Sequence, residues 1–325
     1  MPRIGLNPYG IAYTVGLQGT GTPRANPRPI GLTGFIGLAR EIGAQVVELD
    51  WRWLTPLQDS DLRKLRDELA GATPICSAWL LHEPGETFAD AFRGAVAIGA
   101  KTVRVHLTPV VEGARAALGD RWTAMVEHAR STLLREARRA ADAGLTLAVE
   151  NHQDFGSEEL LELVGAAGEN VGIVLDTGNP FAVGEDPVAF TRRVAARIRH
   201  VHLKDYRAQF TDEGYRLIRC AVGDGGVPFE EMMALVDPGV TASIEIGALD
   251  ARHIRLFEPS WWTGYPARPA PELAVALGRL QRHRLGRDDD YRSPWEKRGP
   301  RASIVDYEMR QLRRSVAWLR RAGWL

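Results

Sequence analysis

The chain has 325 residues, 41 lysines and arginines balanced by 41 aspartates and glutamates, and a hydrophobic fraction of 45%. That is an ordinary globular composition, and a neutral chain without a basic stripe argues against nucleic-acid or anionic-membrane partners. Only two cysteines occur, Cys76 and Cys220, far apart and outside CxxC spacing, which excludes a disulfide framework. With no 18-residue apolar run and no basic-then-apolar leader, a cytoplasmic protein is expected.

Strand-like apolar runs alternate with helical patterns from the start. Ile4-Gly-Leu-Asn-Pro8 reads as a short strand, followed by a Gly/Thr/Pro-rich loop to about Ile30. Leu32, Phe35, Ile36, Leu38 and Ile42 have helical spacing that ends at Gly43, a C-cap signal. Gln45 to Trp51 is a second strand, and Ser60 to Leu69 a helix capped by Ser60 or Asp61. Pro74 to Leu81 is the third strand, followed by a helix from Thr87 to Gly99. Thr102 to Leu107 is the fourth, followed by a long helix from about Trp122 to Ala143. Leu145 to His152 is the fifth strand, with a helix over Ser157 to Ala167. Val171 to Asp176 is the sixth, with a helix over Asp186 to Ala196. Ile198 to Leu203 is the seventh, with a helix over Phe229 to Val236. Val240 to Ile246 is the eighth.

Eight such alternations in about 250 residues are what a TIM (β/α)8 barrel requires. Residues 1–247 are therefore predicted to form that barrel, with a doubly wound sheet as the competing arrangement. Residues 248–325 form a C-terminal helical extension: an aromatic loop from Phe257 to Pro266, a helix over Pro271 to Arg284, and a last helix over Ile304 to Arg321. The apolar face of that last helix (Val305, Met309, Leu312, Val316, Leu319) is expected to pack on the barrel or on a partner. Its basic face suits a subunit contact.

Four consecutive strands end on metal-ligand residue types: Glu150, Asp176, His202 and Glu245. One strand-end carboxylate is ordinary. Four polar ends in register, at the face where barrel enzymes keep their active sites, point to one site. Three converging carboxylates repel unless a cation lies among them. One imidazole and three carboxylates suit one divalent ion, with Mn²⁺ favoured by the oxygen-rich set and Mg²⁺, Co²⁺ or Zn²⁺ as alternatives. Strand alternation puts His152 on the same side as Glu150. A neutral imidazole is a better base at pH 7 than a carboxylate on a metal.

The segments Val149-Glu-Asn-His, Leu175-Asp-Thr-Gly-Asn, His200-Val-His-Leu-Lys-Asp and Ser243-Ile-Glu-Ile resemble the xylose-isomerase-like sugar isomerase/epimerase superfamily. The resemblance covers residues 3–247. It implies one metal on Glu150, Asp176, His202 and Glu245, and proton abstraction next to a sugar carbonyl, with Glu150 and Glu245 as bases on opposite faces. His152 is a further candidate base. His106, Asn179, Lys204 and His82 are candidate substrate contacts, with Trp51 and Trp79 as a stacking wall. Lys204 also suits a local ion pair with Asp205. The family's epimerases often carry histidine where this chain has Asn179, which sets simple epimerase chemistry in question. Glu-Asn-His paired with Asp-Thr-Gly-Asn, plus the long extension, is similar to the catalytic subunits of C-glycoside deglycosidases. That resemblance implies elimination of an aglycone from a 3-oxo-glycoside and a small β-rich second subunit. Ketose 3-epimerase or aldose–ketose isomerase is the alternative. Apurinic endonucleases share the barrel and cut DNA with three zinc ions, but that resemblance needs a histidine where Asn179 stands and an Asp-x-His after the seventh strand, and neither is here.

Overall fold

The computed structural model describes residues 2–69, 71–80, 85–247 and 250–325. Among these, eleven strands form: β1 (Ile4–Leu6), β2 (Val46–Asp50), β3 (Thr73–Leu80), β4 (Thr102–His106), β5 (Thr146–Glu150), β6 (Val171–Asp176), β7 (Ile198–Leu203), β8 (Asp205–Phe210), β9 (Tyr215–Cys220), β10 (Thr241–Ile244) and β11 (Arg252–Ile254). Eight of them close a parallel barrel in the order β1-β10-β7-β6-β5-β4-β3-β2. This is the predicted TIM barrel, with β10 as its eighth strand. β2, β6 and β10 are buried at every position, as strands must be when helices cover one side and packed side chains fill the other.

The helices fall close to expectation, at Gly31–Ile42, Asp59–Glu68, Gly85–Ile98, Arg121–Asp142, Ser157–Ala167, Pro187–Val194 and Phe229–Met233. The start of Asp59–Glu68 differs from the reading. Its N-cap is Gln58, without a side-chain cap bond, so neither Ser60 nor Asp61 caps it. Both acidic residues of the first turn, Asp59 and Asp61, instead favour the positive end of the helix.

One layer was not foreseen. β8 and β9 form an antiparallel hairpin that leaves the barrel directly after β7, and β11 adds to β9. Residues of the extension thus complete a sheet begun by the barrel. The extension's helices are Ala270–Arg282 and Arg301–Arg321. Leu312, Val316 and Leu319 of the last helix join the same apolar core as the barrel strands. Its Glu308, fully buried, accepts the Tyr13 and Thr14 amides (3.1 and 2.8 Å) and the Thr14 hydroxyl (2.6 Å). One carboxylate therefore pins the chain that leaves β1 at the mouth.

Candidate metal centre at the barrel mouth

Strand register assembles the centre. Asp176 ends β6 beside His202 of β7, and His202 faces Ser243 of β10. Glu245, the first residue beyond β10, donates its amide to Leu203 (3.1 Å). Glu150 closes β5. All four side chains are buried, Glu245 the least at 8% exposure, and one ligand atom from each lies within 4.8 Å of the others.

The decisive detail is what these atoms lack. Glu150 Oε1, His202 Nδ1 and Glu245 Oε2 are buried without a hydrogen-bond partner among the described residues. His202 Nδ1 and Glu245 Oε2 stand 2.7 Å apart, yet the contact is not aligned as a hydrogen bond. Buried acceptors are rarely left this way, and lone pairs converging on a common point suit a cation. The residues present fit a divalent ion.

The remaining oxygens are held by cations of the chain itself. Arg104 Nε donates to Glu150 Oε2 at 2.5 Å, where His106 Nε2 also approaches to 3.1 Å. Lys204 Nζ bridges Asp176 Oδ2 and Glu245 Oε1, the latter at 2.8 Å. Asp176 Oδ1 accepts the Gly178 and Asn179 amides, both at 3.0 Å. Burial pushes the Asp176 carboxyl up to about 6 against the pull of Lys204. Burial acts the same way on Glu245, but Lys204 and His202 outweigh it and bring its carboxyl down to about 2. Burial disfavours a charge on His202, yet Glu48, Glu245 and Glu150 together raise its pKa well above the usual imidazole value. Carboxylates that favour a proton at that ring favour a metal there too, and the two compete.

Deeper in the barrel a second carboxylate orients the ring. Glu48 Oε1 lies 3.1 Å from His202 Nε2 and 2.8 Å from His200 Nε2, and Glu48 Oε2 accepts Asn7 (3.0 Å) and Ser77 (2.9 Å). When the ring is neutral, Nε2–H given to Glu48 leaves the lone pair of His202 on Nδ1, toward the centre. A carboxylate behind a ligand histidine fixes tautomer and orientation in this way.

A family model described as "Xylose isomerase-like TIM barrel" matches residues 36–251. The chain belongs to this family. Inosose dehydratase of Clostridium beijerinckii is 30% identical over 145 residues, which cover 40% of this chain and 47% of that protein. The chain spans about a third to a half of the length of this and other curated relatives. Among solved structures, the probable 3-DHS dehydratase AsbF from Bacillus anthracis superposes with a TM-score of 0.56 at 17% identity, over 86% of this chain and 99% of that one. The IOLI protein, crystallised with a zinc atom, gives 0.52 at 14% identity, over 87% and 96%.

The xylose isomerase-like barrel places the other expected residues differently. His152 and His106 are half-buried, with ring centroids 4.6 Å apart and planes tilted by 36°. His152 Nδ1 is buried without a partner, while His106 is tied to Glu150. Lys204 does not pair with Asp205, whose carboxylate accepts the Gly223, Gly225 and Val227 amides (3.0, 2.8 and 3.1 Å). The Lys204 ammonium is instead spent on two of the expected metal ligands. Asn179 is fully buried and donates to the Asn151 carbonyl (3.0 Å), tying the loops after β5 and β6, and only its Oδ1 is unpartnered. His82 and the side chain of Trp79 lie outside the described residues. Sequence reasoning missed Glu48, His200 and Arg104. Each shares strand parity with a mouth residue (Asp50, His202 and His106), and that was the available signal.

Proposed function

We propose that this chain is a divalent-metal-dependent enzyme that removes a proton next to the carbonyl of a sugar or cyclic polyol and then eliminates a leaving group from the adjacent carbon. Carrying the reading is the set of unpartnered, converging atoms Glu150 Oε1, His202 Nδ1 and Glu245 Oε2, joined by Asp176. A divalent ion held there, Mn²⁺ by the oxygen-rich donor set, supplies Lewis acidity toward a carbonyl oxygen.

The protein's own groups supply the rest. His152 makes no hydrogen bond with the described residues and packs against the His106 ring, tilted to it by 36°. Its imidazole, kept neutral by burial and by the neighbouring His106, takes the proton. The C–H electron pair becomes a carbon–carbon double bond as the bond to the leaving group breaks, and the leaving group takes up the proton. No oxidant is needed. Arg104 holds the outer oxygen of Glu150 and Lys204 those of Glu245 and Asp176, which keeps Glu150 and Glu245 ionised and poorly basic.

Elimination is favoured over epimerisation because epimerisation needs a second base on the opposite face. Glu150 and Glu245 were the candidates, and each has one oxygen held by a cation and the other turned to the metal centre. Inosose dehydratase, a relative 30% identical over 145 residues, supports the same direction. Elimination of an aglycone from a 3-oxo-glycoside, as in C-glycoside deglycosidases, is the specific form we favour. Loss of water from a keto-cyclitol is its nearest variant.

The test is Mn²⁺-loaded protein in D₂O with 3-oxo-glycosides, a keto-cyclitol and ketohexoses, followed by mass spectrometry. Release of aglycone or water is expected, and His152→Gln should abolish it. A deuterated epimer as the sole product would overturn elimination in favour of the epimerase reading.

A further inference from the structure

The β8–β9–β11 sheet carries unpaired charge on its buried face. Arg219 lies opposite Tyr206, and Arg252 opposite Leu217, so all four side chains share one face. Tyr206 and Leu217 are fully buried and Arg219 is 8% exposed, which makes this the side turned to the barrel. Connectivity and packing put it at the mouth. Tyr206 is two residues beyond Lys204. Its ring lies so close to Gly178, two residues beyond Asp176, that a β-carbon there would stand 2.6 Å from a ring carbon. The phenol senses the Arg219 and Arg252 guanidinium groups together with Lys204 and Asp176.

Neither arginine has an acidic partner among the described residues. Arg219 gives one N–H to the Asp250 carbonyl (2.9 Å). Arg252 makes no hydrogen bond, its Nε is buried and unpartnered, and the Tyr206 hydroxyl is in the same condition. Two carboxylates act on Arg252 from a distance. Glu112 is occupied by the His253 amide (3.1 Å) and faces Arg255 (3.8 Å), and Asp250 is exposed. Arg219 is buried and Arg252 half-buried with its Nε shut off from water, and two neighbouring guanidinium groups in such a setting are unfavourable without an anion. Their fork of donors matches a carboxylate or phosphate.

We infer that the substrate carries an anionic group, a carboxylate or a phosphate, which Arg219, Arg252 and the Tyr206 hydroxyl grip while its carbonyl end lies over the Glu150–Asp176–His202–Glu245 centre. The inference rests on the proposed α-proton chemistry for the carbonyl end alone. It makes the substrate a keto-sugar acid, a keto-sugar phosphate or a glycoside bearing such a group.

Two readouts test it. The first is calorimetric titration of inorganic phosphate into protein without added metal. The second is deuterium exchange by Mn²⁺-loaded protein on matched probes, D-fructose against D-fructose 6-phosphate and against 5-keto-D-gluconate. Phosphate should bind the wild type and bind Arg252→Met and Arg219→Met about tenfold more weakly or worse. The charged probes should exchange faster than fructose, with that preference falling by a similar factor in Arg252→Met and recovering in part in Arg252→Lys. Recovery in the lysine variant separates lost charge from lost folding. No phosphate binding by the wild type, equal exchange of charged and neutral probes, or a preference unchanged in both methionine variants overturns the inference. If no probe exchanges while phosphate binding still depends on Arg252, the anion subsite stands and the α-proton reading fails.

Discussion

On one side of His202, deep in the barrel, Glu48 is surrounded by donors. On the other, at the mouth, Glu150 and Glu245 each keep an oxygen that accepts no hydrogen bond from the described residues. The two clusters share one imidazole, are both buried, and both combine carboxylates with histidine. In the deep cluster every carboxylate oxygen is satisfied, by His200, His202, Asn7 and Ser77, and His200 closes the network through its Nδ1 on Thr241 (2.6 Å). At the mouth, three ligand atoms make no hydrogen bond among the described residues. Saturation marks a cluster that serves the fold, and its absence marks one arranged for something else. Composition alone would have ranked them as equals.

Three substitutions sharpen that contrast. The largest effect belongs to His152. His152→Gln should lower the rate of α-proton exchange by roughly 10²–10⁴, the usual contribution of a positioned base, while metal affinity stays as in the wild type. A loss of metal as well would make His152 a ligand and redraw the mouth. Next is Glu48→Gln, which leaves the deep cluster near its original volume but weakens the acceptor behind His202. Metal affinity should drop about 10–100-fold. Nitrogen chemical shifts of His202 should show the proton no longer fixed on Nε2. Unchanged affinity would mean that the deep cluster does not support the mouth. The smallest effect is Ser77→Ala, which removes one of several donors on Glu48. It should cost about 0.5–1.5 kcal/mol in chemical denaturation and leave metal affinity alone. A large loss of metal there would show the two clusters to be one.

The contrast also explains what could be read in advance. Glu150, Asp176, His202 and Glu245 were legible because each interrupts an apolar run at the end where a parallel barrel keeps its sites. Glu48 and Arg104 sit inside strands (Val-Val-Glu-Leu-Asp and Thr-Val-Arg-Val-His), where one charge looks like any half-exposed position until closure of the barrel shows the face to be interior. The hairpin of β8 and β9 was missed because the segment after His202 was read for its ligands alone. Its alternating pattern on either side of Thr211-Asp-Glu-Gly214 was the overlooked signal. β11 could not have been anticipated from local pattern: three residues become a strand only because β9 is already beside them. Lys204 was expected to meet substrate or Asp205, and tertiary contact decided for Asp176 and Glu245.

The most direct test of the central claim is the metal stoichiometry of the purified chain, measured by mass spectrometry without added metal and after equilibration with Mn²⁺, in the wild type and in Glu245→Gln. One divalent ion per chain, lost or strongly weakened in the variant while Ser77→Ala retains it, is the predicted result. No ion in the wild type even after loading, or equal occupancy in Glu245→Gln, would contradict the account and leave the mouth cluster, like the deep one, a part of the fold.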